Sequence, residues 1–307
     1  MRKFRLVLLI LCFSLSLILA DGLRFDGEDD WVDLNTMIPV IKDGDFTIEL
    51  WFNPHDMNND DQGGISGDGE VGDKDIIFAF NDSSNTEWHA NHFLLYIWDD
   101  EVILHRGATK DDNVTLTTFS SDDYDKWHHL AFLYDLSEDK VSIWMDGAKV
   151  GGPITNNYSK ISTFTAAPSG NLHLSLGQEY DIETDGSNFA PGDFFEGGMD
   201  EVRFWDGILT DGEIQNLAND SPSEAIGALE VTSSTLFARF TMDEPGGSPT
   251  QIVSSVNYYI GTLNGPVRFP TQDVSLPVEL SYFTAKSFNG AVKLEWETSS
   301  EIENAGF

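Results

Sequence analysis

The 307-residue chain is 40% hydrophobic and 12% aromatic against 22% charged, a balance that excludes an extended disordered polymer and provides for a sizeable core. Its 52 acidic and 17 basic residues give a net charge of −35, a field that repels nucleic acid and anionic lipid surfaces. The single cysteine, Cys12, falls within the first twenty residues, so the remainder has no disulfide, thiol nucleophile or cysteine-based zinc site.

Those first twenty residues, MRKFRLVLLILCFSLSLILA, open with Arg2, Lys3 and Arg5 and run through aliphatic residues to Ala20. A basic start, a short apolar run and a small final residue form the pattern of a secretory signal peptide. The acidic DGLRFDGEDD that follows does not suit a membrane anchor. The expected localisation is secreted or cell-surface.

From residue 21 to about residue 269, short runs of strand character alternate with Gly, Asn and Asp turns. FTIELWFNP is the clearest: Phe46, Ile48, Leu50 and Phe52 share one face, while Thr47, Glu49, Trp51 and Asn53 share the other. The stretch from Asp56 to Asp75 reads as a long polar loop. Asp56, Asn58 and Asp60 alternate there as in a calcium-binding EF-hand, but Asp61 stands where the turn glycine belongs and Gly67 where the bidentate Glu belongs, so that reading fails. Further strands are expected at DIIFAF, HFLLYIW, EVILHRG, NVTLTTF, NLHLSLG, MDEVRFW, TLFARF and VNYYIGTL.

WHHLAFLYDLSEDKVSIWMDGAKV, residues 127 to 150, reads as a hairpin around an acidic turn. Adjacent strand residues point to opposite faces, so His128 and His129 cannot jointly chelate a metal or line one pocket. Both are expected to pack and hydrogen-bond, while Asp135, Glu138 and Asp139 solvate the turn. In MDEVRFW, Asp200 has the parity of Val202 and Phe204; if those face the core, Asp200 is drawn inward, where a carboxylate needs a cation or several donors. One helical signature follows in LTDGEIQNLAND, with Thr210 and Glu213 as a capping box and Leu209, Ile214 and Leu217 as an apolar stripe. Many short strands and one helix predict an all-β, two-sheet antiparallel jelly-roll sandwich. Residues 270–279, with Pro270 and Pro277, read as a linker. Residues 280–307, two strands around Asn289-Gly290, read as the truncated start of a further β domain.

FTIELWFNP, KWHHLAFLYDLSEDKVSIWMDGAKV, NLHLSLGQ and FFEGGMDEVRFWDGILTDGEIQNLA resemble, in that order, the strand signatures of LamG-like (laminin G type 3, concanavalin A-like) jelly-roll domains, over roughly residues 22 to 245. The resemblance implies a carbohydrate-binding, adhesion or spacer module. It also implies a structural calcium ion between the closing and N-terminal strands, with Asp26 and Asp200 as ligands. The tail LPVELSYFTAKSFNGAVKLEWETSSEIENAGF resembles a segment of secreted Bacteroidetes proteins that usually precedes a type IX sorting domain.

A glycoside hydrolase needs two carboxylates across a cleft, which retaining enzymes on this scaffold carry as Glu-x-Asp-x-x-Glu on one strand. Asp200 and Glu201 are adjacent instead, and no Gly-x-Ser-x-Gly or His-Glu-x-x-His motif occurs. The expectation is a protein that is not an enzyme and that recognises a glycan or a cell-surface or extracellular protein, with a polysaccharide hydrolase and a ligand-free spacer as alternatives. Aromatic platforms and hydrogen-bonding groups suit sugar, and the candidates are Glu49, Trp51, Trp88 and Trp98.

Overall fold

The computed structural model describes residues 22–55, 74–82, 91–107, 112–155, 162, 165–166, 170–182, 189–219, 231–242, 250–265, 278–288 and 291–301. The expected leader, most of the acidic loop, Trp88, the linker up to residue 277 and the Asn289-Gly290 turn lie outside them. The chain divides into two compact units, Met1–Pro270 and Thr271–Phe307.

In the first unit the strands are β1 (Leu23–Asp26), β2 (Trp31–Asp33), β3 (Phe46–Pro54), β4 (Asp75–Asp82), β5 (Asn91–Trp98), β6 (Glu101–His105), β7 (Asn113–Thr118), β8 (His128–Asp135), β9 (Lys140–Met145) and β10 (Ala148–Thr155). They continue with β11 (Leu172–Leu176), β12 (Glu179–Ile182), β13 (Phe189–Gly192), β14 (Glu196–Asp206), β15 (Thr235–Phe240), β16 (Gln251–Val253) and β17 (Ile260–Asn264). The helices are α1 (Ile38–Ile41) and α2 (Asp211–Ala218), the former preceded by a 3-10 turn at Asn35–Met37. The second unit holds one antiparallel hairpin, β18 (Val278–Phe288) with β19 (Ala291–Glu301).

Two antiparallel sheets build the sandwich. Sheet A runs β1-β14-β3-β8-β9-β10, with β15 also on β14; sheet B runs β16-β17-β2-β11-β4-β5-β6-β7. The main core lies between them: Ile48, Leu50 and Phe52 of β3 and Phe132 of β8 meet Phe78, Phe80, Phe93 and Leu95 of sheet B. Period-two alternation sends the other residues of these strands outward. On the outer face of sheet A, Ala131, Leu133, Trp144 and Trp205 are covered by Leu209 and by Ile214 and Leu217 of α2. On the outer face of sheet B, Ile76, Ala79, Leu94, Tyr96 and Ile103 form a smaller cluster. The β12–β13 hairpin is tied to this side, because Tyr180 N donates to Asn81 Oδ1 at 3.3 Å and Lys74 Nζ lies 3.2 Å from Asp193 and 3.9 Å from Glu179.

Three local features depart from the sequence expectations. VNYYIGTL is not one strand: Ser254 N donates to Tyr259 O at 2.8 Å, Asn257 and Tyr258 have φ of 59° and 56°, and β17 begins only at Ile260. IPVI forms a one-turn helix too short to display a helical period. Most consequential, β14 carries a bulge: Asp200 pairs with Trp51 and Arg203 with Glu49, so three steps on β14 match two on β3, and Glu201 has φ of 51°. The bulge reverses the parity on which the inward placement of Asp200 rested. Met199 takes the core side, while Asp200, buried as expected, shares the outer face of sheet A with Trp51 and Glu49.

Candidate functional site

The outer face of sheet A is closed by its own charge network. Glu49 is completely buried; its Oε1 accepts from Arg203 Nη1 at 2.8 Å and from Trp205 Nε1 at 3.4 Å, and its Oε2 lies 2.9 Å from His129 Nε2. Arg203 also donates to Glu201 at 3.0 and 3.2 Å, and Glu201 in turn is held by Arg239. Burial alone would raise the Glu49 pKa, but Arg203 and His129 outweigh it and hold the carboxyl below its usual value. Trp51 is 6% exposed, with its ring edge-on to His129 at 5.3 Å. Neither Glu49 nor Trp51 therefore presents itself to a ligand, and Glu49 is not available as one of a pair of hydrolytic carboxylates. His128 points the other way, against Phe52 and Phe119, with Nδ1 2.8 Å from Asp146 Oδ2. The hairpin turn is more structured than mere solvation, since Asp139 accepts the Tyr134 hydroxyl and Asp135 accepts Glu138 N at 2.9 Å.

The outer face of sheet B is different. Val32 enters the core, so Trp31 and Asp33 face outward; Leu172, Leu174 and Leu176 likewise turn His173 and Ser175 outward. Tyr180 of the β12–β13 hairpin lies edge-on to Trp31 at 5.6 Å and 4.5 Å from His173, and all three rings are half-buried. This trio forms an aromatic shelf with Asp33 beside it. The Asp33 carboxylate accepts Asn35 N at 2.7 Å and Asn35 Nδ2 at 3.0 Å, and burial raises its pKa. Farther along the same face, Trp98 packs on the Ile76–Tyr96 cluster and is also half-buried. Burial pushes the Tyr96 hydroxyl up to about 12 and lowers the pKa of His105 and His173, so all three are neutral near pH 7. Of the aromatic candidates named from sequence, Trp98 retains exposure. Trp31, His173 and Tyr180 were missed, although the apolar Val32 between Trp31 and Asp33 is a signal for their outward placement.

Immediately before Trp31, the β1–β2 turn gathers Asp26, Asp29 and Asp30, whose carboxylate oxygens lie within 4.8 Å of one another. One ion bound at 2.3–2.6 Å would have its ligands up to about 5 Å apart, so the spacing fits calcium. Asp30 is fully buried, with Oδ2 accepting Asp26 N at 3.1 Å while Oδ1 has no hydrogen-bond partner. Burial and the neighbouring Asp26 raise its pKa to about 7. A side chain at Gly265 would meet Asp29 O at 2.2 Å and Asp30 Oδ1 at 2.8 Å, so only glycine lets the backbone pass this close. Asp200 does not join this group. Leu23 pairs with Met199 and Asp26 with Glu196, so Asp200 lies beside Gly22 at the opposite end of β1, four strand steps or about 13 Å from Asp26. The expected Asp26–Asp200 pair cannot share an ion; the carboxylates that lie close to Asp26 are those of Asp29 and Asp30.

The sequence model of the concanavalin A-like lectin/glucanases superfamily matches residues 26–215. Neuronal pentraxin-2 of Cavia porcellus is 30% identical over 132 residues, 43% of this chain and 28% of that protein. The sushi, von Willebrand factor type A, EGF and pentraxin domain-containing protein 1 of Rattus norvegicus is 28% identical over 134 residues, 44% of this chain and 3% of that protein. The chain thus spans under a third of either relative. Among solved structures, the heptameric SAP-like pentraxin of Limulus polyphemus aligns over 79% of this chain and 96% of its own, at 13% identity and a TM-score of 0.42.

Proposed function

The chain belongs to the concanavalin A-like lectin/glucanases superfamily, and from that premise we propose that it is a secreted or cell-surface recognition module that binds glycan on the outer face of sheet B. The observation that carries this reading is the half-buried shelf of Trp31, His173 and Tyr180, flanked by Asp33. Flat rings stack on pyranose faces, and neighbouring polar groups orient the hydroxyls. Among the described residues sheet A has no equivalent, because α2 and the Glu49–Arg203 network close its outer face.

The reading is non-catalytic. The carboxylates of Glu179 and Asp193 on the sheet B side are both engaged by Lys74, at 3.9 and 3.2 Å, rather than left facing one another across a cleft. Among the described residues no helix is long and apolar enough to cross a membrane.

Calcium is part of the proposal. Asp26, Asp29 and Asp30 would hold it, and it would neutralise a buried carboxylate one residue from Trp31, fixing the strand end that carries the shelf. A glycan array probed with the full chain, in millimolar calcium and in chelator, tests the reading. Trp31→Ala is expected to weaken binding about tenfold, the order of one aromatic stacking contact. Unchanged binding in both Trp31→Ala and Tyr180→Ala moves the ligand elsewhere and sinks this assignment.

A further inference from the structure

Charge is divided unevenly between the two sheets. Strand-borne cations of the sandwich are Arg24 of β1, Lys140 of β9, Lys149 of β10, Arg203 of β14 and Arg239 of β15, all in sheet A. The eight strands of sheet B contain no Lys or Arg, yet they carry Asp33, Asp75, Asp82 and Glu101.

Lys74 and Arg106, which adjoin β4 and β6 of sheet B, are both engaged. Lys74 is shared by Asp193 and Glu179, and Arg106 Nη1 donates to Thr155 O at 2.8 Å. His105 and His173 are kept neutral by burial. An ion in the Asp26–Asp29–Asp30 turn does not reverse the sign, because three carboxylates around a divalent cation remain net negative. The whole chain adds a background of −35.

An anionic sugar brought to the shelf would therefore lose hydration and, among the described strand residues of sheet B, meet carboxylates but none of the Arg or Lys that carboxylate, sulfate and phosphate recognition relies on. Aromatic rings and neutral donors ask for no charge on the ligand. From this asymmetry we propose that the ligand of the sheet B face is a glycan without carboxylate, sulfate or phosphate groups. The proposal rests on the glycan reading given above and narrows it to a class.

A matched pair isolates the charge: a neutral oligosaccharide retained on the array, and the same oligosaccharide bearing one terminal sialic acid. Both are titrated calorimetrically into the full chain at about 20 mM and about 150 mM salt, spanning weak and strong screening. The expected result is that the added carboxylate weakens binding roughly fivefold or more at low salt, with the gap narrowing at higher salt. A sialylated partner that binds as tightly or more tightly at low salt, and loses that binding in Trp31→Ala, overturns the proposal while leaving glycan binding intact. An array with no retained oligosaccharide of either kind removes the glycan reading itself, and this proposal with it.

Discussion

The carboxylate of Glu49 is held without any contact with water, and Arg203 and His129 are what make its charge tolerable there. Removing one member of such a set leaves the others buried and uncompensated, which costs about 3–5 kcal/mol. Glu49→Ala is expected to lower unfolding stability by that amount in urea denaturation at pH 7. Because the folded-state pKa of Glu49 lies below its unfolded value, its contribution is present above about pH 4.5 and is lost as pH falls below that. The stability gap between the natural chain and Glu49→Gln should therefore shrink on acidification below pH 4.5, and a gap constant with pH would contradict the ionised pairing. Folded Glu49→Gln should also keep its glycan affinity, in contrast to Trp31→Ala, since Glu49 belongs to sheet A's closed face.

Helix α2 is held at both ends of its first turn. Thr210 Oγ1 accepts from Glu213 N at 3.4 Å while Glu213 Oε2 accepts from Thr210 N at 2.9 Å, and Glu213 Oε1 also accepts Thr232 N at 2.7 Å and Ser233 N at 2.9 Å. Thr210→Ala should cost about 1 kcal/mol, the usual loss of a cap. Glu213→Ala releases the following segment as well and should cost more, about 2–3 kcal/mol. Denaturation followed by tryptophan fluorescence checks both, because α2 covers Trp144 and Trp205; equal losses would show that the links to Thr232 and Ser233 add nothing. The capping box was legible because its partners lie three residues apart, and FTIELWFNP was legible because its period is unbroken. The bulge at Glu201 was not: one residue with positive φ leaves no mark in hydrophobic alternation, yet it moves Asp200 to the other face. Nor was the aromatic shelf, because Trp31, His173 and Tyr180 are brought together by pairing of β2 with β11 and by the β12–β13 hairpin, contacts between segments far apart in the chain.

At the scale of the whole molecule, a net charge of −35 makes any cation stabilising to some degree, so calcium binding at one turn must be separated from general screening. Magnesium at equal concentration supplies the same ionic strength but prefers a tighter octahedral shell and keeps its waters, which the three-carboxylate turn does not demand of calcium. A ligand at a hundred times its Kd adds about 2.7 kcal/mol to the folded state. For a unit of this size that corresponds to roughly 5–10 °C in Tm. Calcium is therefore expected to raise the melting temperature of the sandwich unit by that margin beyond magnesium, and Asp30→Asn to remove the difference while leaving the small rise common to both ions. Gly265→Ala should do the same by a different route, since its new methyl would crowd Asp29 O and Asp30 Oδ1 without altering charge. If calcium and magnesium stabilise the natural chain equally, the turn is only one part of a diffuse acidic surface, and the shelf beside it must hold its shape through the Trp31–Tyr180–His173 packing alone.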